Sequence, residues 1–217
     1  MRKVLEGAVS LFKKIAPLRK GKKRKPLGQS LVEVAIAFPV LIMLLTGVIE
    51  FGFILNFYLS LLDATRDAAR LYSGDDPFLA DGVTDDNDFY LQTAYKVQRV
   101  LDPVIDDPTY RGRRILLDPA NDDVIVTVYG AKDNVVTLWR DAGPYHLFNN
   151  GKYQSIFTTQ NILDTRVTDA PNAGILLVEI HYNYHHVLNL PWFTAVLPNP
   201  LHLQAYTIMP IRAGEPR

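Results

Sequence analysis

Gly28-Gln29-Ser30-Leu31-Val32-Glu33, followed at once by the apolar stretch Val34 to Leu62, decides how this chain is read. The stretch has 29 residues, and Glu50 is its only formal charge. An α-helix rises about 1.5 Å per residue, so some 20 residues cross the ~30 Å hydrocarbon core of a bilayer. Val34 to Leu62 therefore predicts a transmembrane helix with residues to spare. Pro39 removes the bond to the carbonyl of Ala35 and predicts a kink or a loosened turn. Gly47 and Gly52 leave room for close neighbours. Asp63, Arg66, Asp67 and Arg70 continue the helical pattern into water or the interface, with spacing that allows local ion pairs.

Charge gives the helix a direction. The formal net charge of zero hides an asymmetry: residues 1–28 hold ten Lys or Arg against one acid, Glu6, and the rest holds 13 bases against 22 acids. A dense basic flank beside an apolar span places the N-terminus in the cytoplasm and the chain beyond the span outside. No nucleic-acid recognition motif accompanies the basic run, so nucleic acid is not an expected partner. Val4, Leu5, Ala8, Val9, Leu11, Phe12, Ile15 and Ala16 recur at helical spacing and predict a basic amphipathic helix on the cytoplasmic leaflet. Two roles stand open for it, presenting a cut site or merely retaining the chain. The apolar run is too long for a secretory signal peptide and has no A-x-A site after it. The chain has no cysteine, which excludes disulfides, thiol catalysis and Cys-ligated zinc.

Gly28 followed five residues later by Glu33, with an apolar helix beyond, resembles the processing site of type IV pilin-like proteins. The wider stretch, Gly28 to Pro39 with Gly47-Val48-Ile49-Glu50-Phe51-Gly52 and Asp67-Ala68-Ala69-Arg70, resembles the TadE-like family of tight-adherence (Flp) pilus systems. The resemblance implies cleavage after Gly28 by a membrane aspartyl prepilin peptidase, leaving Gln29 as the new N-terminus. It implies a minor pilin, pseudopilin or assembly role in adhesion or secretion, alongside pilin-like subunits, a secretion ATPase and a membrane platform. Two departures from the family pattern are the leader, which is long and has Leu27 rather than a basic residue before Gly28, and an outer domain larger than a minimal member's. An uncleaved signal-anchored binding or scaffold protein is the alternative.

Each acid of the helix has two readings. Glu33 lies four residues from Gln29, so it is placed to meet a freed α-amine of its own or a neighbouring chain and set assembly register; otherwise it is an interfacial carboxylate beside the Lys/Arg cluster. Glu50, 17 residues and about 25 Å further on, is a deep functional acid or, the favoured reading, a carboxylate reaching outer-leaflet water.

The expected organisation is a basic cytoplasmic leader (1–28), the transmembrane helix with its outward extension (29–73) and an extracytoplasmic domain (74–217). The class is α+β: a long N-terminal transmembrane helix, then a short helix and an antiparallel β-sheet. Phe89 to Leu101 carries a helical stripe with Asp88 as its cap. Val124–Tyr129, Val135–Trp139, Ile175–Tyr184 and Leu201–Ile211 read as strands, the last closing the sheet. Asp-Pro pairs at 102, 107 and 118 mark turns, Gly143–Gly151 a surface loop, and Leu190–Pro200 an apolar connection.

No P-loop, nucleophile elbow or paired-glycine cofactor fingerprint is present, so neither an enzyme nor a cofactor is expected. His181 and His185 stand about 13 Å apart on a strand, too far to share zinc, and read with His186 as polar strand positions. Asp81, Asp85, Asp86 and Asp88, within an acidic loop, are weak calcium candidates without EF-hand spacing. Trp192 and Phe193 are a partner contact, a core element or membrane-surface packing.

Overall fold

The computed structural model describes residues 27–82, 84–133, 135–166 and 172–215. The amphipathic helix expected near the N-terminus lies outside them. By internal packing the chain divides into residues 1–44 and 45–217.

In the first unit the described residues belong to α1, the helix Leu27–Tyr72. Every side chain from Ser30 to Leu44 is exposed. Helix α1 runs through Pro39 without a break, because losing one hydrogen bond leaves its neighbours intact. None of the most apolar 18-residue window of this helix is buried. An apolar helix that none of the described residues covers suggests a membrane anchor.

In the second unit the C-terminal part of α1 becomes a core element. Leu61, Ala64, Thr65, Ala68 and Ala69 are fully buried. Their three- and four-residue spacing puts them on one helical face, and Leu61, Ala64, Ala68 and Ala69 belong to the same core as the sheet. Helix α2 (Asn87–Leu101) adds Phe89, Tyr90, Ala94, Val97 and Leu101 to the same core. Its cap is Asp86, not Asp88: Asp86 is extended and its carboxylate accepts the Asp88 amide at 2.9 Å. Both aspartates fit the residue preference, and only backbone geometry separates them.

The sheet contains β1 (Asp123–Lys132), β2 (Val135–Leu138), β3 (Tyr145–His146), β4 (Asn172–Tyr184) and β5 (Leu201–Pro210). All pairings are antiparallel in the order β2-β1-β4-β5, with β3 beside the first half of β1. The expected loop at 143–151 therefore contains a short strand, held at Ile125–His146 and Val126–Tyr145. Strand β5 closes the sheet as expected, from Ile175–Pro210 to Tyr184–Leu201.

Alternation sends Val124, Val126, Val128, Leu176, Val178 and Ile180 toward the two long helices. The opposite face meets the segment 150–162, which leads into α3 (Thr159–Arg166), and buries Tyr129, Ile162, Ile175 and Leu177. A one-turn helix, α4 (Pro191–Thr194), occupies the apolar connection before β5.

Candidate functional site

Gly28 and Gln29 lie in the first turn of α1, and Glu33 is exposed one turn later. The expected cut site thus lies in the first turn of α1, and Glu33 is four residues after Gln29.

Glu50 sits in the second unit and does not reach water, contrary to the favoured expectation. It is 1% exposed. The Tyr184 hydroxyl donates to its Oε1 at 2.7 Å, and the Val187 amide donates to the same oxygen at 2.8 Å. The Leu188 amide donates to Oε2 at 2.8 Å. Three donors thus replace the hydration that a carboxylate loses on burial. Strand β4 delivers them: it ends at Tyr184, and the chain then turns back over α1. The clamp joins positions 134 to 138 residues apart in sequence.

Neighbours hold the donors in place. His186 donates from Nε2 to the Pro198 carbonyl at 2.9 Å, since a carbonyl only accepts. Its Nδ1 lies buried 3.5 Å from Glu50 Oε1 and has no hydrogen-bond partner among the described residues. The same ring meets Phe193 edge-on at 5.0 Å. Tyr184 meets Phe57 of α1 edge-on at 4.9 Å, and burial followed by the bond to Glu50 pushes its phenol well above the ordinary range. One turn beyond the apolar run, the Thr65 and Thr207 hydroxyls lie 2.9 Å apart and tie α1 to β5.

A second polar group lies on the opposite sheet face. His181 pairs across the ladder with Asp123, and Ile125 with both Glu179 and His146. His146 Nδ1 lies 2.8 Å from Asp123 Oδ2. The rings of Tyr153, His181 and His202 stack, with centroids 4.6–5.3 Å apart. Burial first, and His202 second, hold His181 down at about 4. Burial pushes the Glu179 carboxyl up, against bonds from the Ser155 hydroxyl and the Ile156 amide. His181 is thus a buried strand residue. His185 and His186 lie beyond the end of β4, which corrects their reading as strand positions: the chain leaves the sheet at Tyr184 to reach Glu50.

The acidic loop is occupied by local bonding. Asp81 accepts the Thr84 backbone amide at 2.8 Å, Asp85 the Tyr90 hydroxyl at 3.3 Å, and Asp88 the Gln92 side-chain Nε2 at 3.3 Å, while Asp86 caps α2. Among the described residues no three His, Asp or Glu side chains converge in a way that could hold a metal. Trp192 and Phe193 are partly buried in α4.

Sequence reasoning missed the clamp because two of its three donors are backbone amides, which carry no residue signature. The available signal was energetic: a lone acid in an apolar run needs donors, and the protein supplies them.

A family model described as TadE-like protein matches residues 28–70. No curated protein and no solved structure matches the chain. The matched segment opens at Gly28, includes Glu33, Glu50 and Asp67-Ala68-Ala69-Arg70, and ends before α2 and the sheet. It suggests a Tad pilus-associated component. Residues 28–70 are thus a TadE-like segment, continuous with an α+β domain that extends beyond the match.

Proposed function

We propose that this chain is a membrane-anchored structural or assembly component of a tight-adherence type pilus or related secretion system. A membrane aspartyl prepilin peptidase cuts after Gly28. The new α-amine on Gln29, with an ordinary pKa near 8, is largely protonated at neutral pH. Glu33 meets that amine, within the chain or on a neighbouring pilin-like subunit, and sets the register in which the apolar helices pack. The helix stores the subunit in the cytoplasmic membrane, N-terminus inside, until the secretion ATPase and platform draw on it. The domain after residue 73 faces outward and supplies specificity.

The observation that carries this reading is the TadE-like match, which begins at the residue before the proposed cut. The fully exposed apolar start of α1 supports the anchor. The Glu50 clamp favours a second use of the same parts. A helix bonded to its outer domain at three points also suits an uncleaved scaffold that only displays the domain.

Intact-mass analysis separates the two. Co-expression with the native prepilin peptidase gives a mature chain starting at Gln29, and Gly28→Leu keeps it unprocessed. A wild-type chain that stays full length beside a peptidase active on its own pilin overturns the pilus reading in favour of the scaffold.

A further inference from the structure

Beside the Glu50 clamp runs an open groove of about 690 Å³. Ile49, Gly52, Phe53 and Phe57 of α1 form its floor, and Val187 closes one side. Gly52 keeps it open: a Cβ built there meets nothing within 4 Å. Arg113 stands on the rim, its guanidinium carbon 4.2 Å from the centre of the Phe57 ring. Arg114 beside it is committed to Asp102, with Nε and Nη2 2.9 and 3.0 Å from the two carboxylate oxygens. Among the described residues no carboxylate pairs with Arg113. The groove therefore joins a mainly apolar trough, with Asn56 among its lining, to a cation seated on an aromatic ring.

We infer that this groove binds an anionic glycerophospholipid of the outer leaflet, with an acyl chain along Ile49, Gly52 and Phe53 and the phosphate on Arg113. The inference rests on the anchored, N-inside reading. Leu31 to Ile49 spans 19 residues, apolar apart from Glu33 near its start and Thr46, about the length that crosses the hydrocarbon core, so the groove begins where acyl chains give way to headgroups. A guanidinium lying on an aromatic ring keeps its fork of donors for phosphate oxygens. A zwitterionic headgroup brings its own ammonium toward Arg113, so net negative charge is favoured. A second copy of the helix fits less well. Gly47 and Gly52 are five residues apart, about 140° around the axis, and form no single small-residue stripe. Nor does an apolar helix face offer a negative charge to Arg113.

Native mass spectrometry of the full chain in detergent, with added phosphatidylglycerol or chain-matched phosphatidylcholine, tests this. The expected result is one retained phosphatidylglycerol per chain and little phosphatidylcholine. Arg113→Gln weakens retention about fivefold, the ratio equivalent to about 1 kcal/mol for one basic group at an anionic surface. Gly52→Leu fills the trough and removes retention, while Arg66→Gln, at a site already paired with Asp63, changes nothing. Arg113 is exposed, so its variant remains informative whatever Gly52→Leu does to folding. Equal retention of both lipids, or undiminished retention by Arg113→Gln, overturns the inference. So does a lipid-free dimer that dissociates in Gly52→Leu, which assigns the groove to a second copy. Alkaline carbonate extraction distinguishes the two levels of failure. A chain that stays in the membrane pellet but ignores headgroup charge loses only the lipid site, whereas one released without detergent loses the anchor as well.

Discussion

Removing the Glu50 carboxylate while keeping its three donors is the most informative perturbation of the second unit. In Glu50→Ala the Tyr184 hydroxyl and the Val187 and Leu188 amides lose their acceptor together. An unsatisfied buried donor costs about 1–3 kcal/mol. Val187 and Leu188 are partly exposed and recover some of this from water, so a total near 3 kcal/mol is expected rather than the full sum. Because 1.4 kcal/mol is a factor of ten, local opening at 187–188 becomes about 100-fold more frequent. Glu50→Gln grades the effect. The amide oxygen takes the place of Oε1, which serves two donors, and the NH2 then faces the Leu188 amide. Val187 keeps most of its protection and Leu188 loses it. Residue-resolved hydrogen exchange on the full chain in micelles reads both positions, with Glu33→Ala as a control that leaves them unchanged. Equal protection at 187 and 188 in the wild type and both variants refutes the clamp.

Three further outcomes come from the geometry. His181 is held at about 4 against an ordinary 6.5, so the folded state favours its neutral ring. That contribution is whole above 6.5 and is lost as the pH falls from 6.5 toward about 4, by about 3 kcal/mol in all. The raised Glu179 carboxyl works the other way, gaining stability as it takes up a proton. The comparison is therefore between denaturation midpoints of the wild type and His181→Gln across this range, and identical pH slopes contradict the assignment. Gly174→Ala drives a Cβ to 2.0 Å from the Ile211 carbonyl oxygen, whereas the same change at Gly74 meets open space. Thermal melts should show a loss of about 3 kcal/mol at 174 and little at 74, and comparable melts refute the packing. Finally, Gly28→Leu should leave the chain uncut beside an active prepilin peptidase, as read by intact mass.

What the sequence disclosed depended on how local the signal was. The long apolar helix, α2 and the longer strands are legible from periodicity and β-branched runs, and each lies within a few residues of its expected bounds. The choice between Asp86 and Asp88 as cap was invisible because both residue types fit, and backbone angles decide. Strand β3 is two residues long, too short for alternation to register. The Asp123, His146, Glu179 and His181 group forms only through strand register, which pairs 123 with 181 and 125 with both 146 and 179. Glu50 was conspicuous as an acid, but its partners lie at and just beyond the end of β4 and are largely main chain. The apparent calcium ligands owe their spacing to turn and cap chemistry, in which aspartate serves the backbone.

The proposed topology is a single-pass anchor with its basic end inside the cell and its sheet domain outside. The chain contains no cysteine, so single-cysteine labelling reports topology without background. Ser10→Cys lies in the basic stretch, and Ala142→Cys is an exposed position between β2 and β3. With a membrane-impermeant maleimide on intact spheroplasts, the variant at 142 should label at once and the variant at 10 only after the membrane is opened. Labelling at 10 on intact cells, or the same labelling of both sites in a soluble fraction, contradicts it.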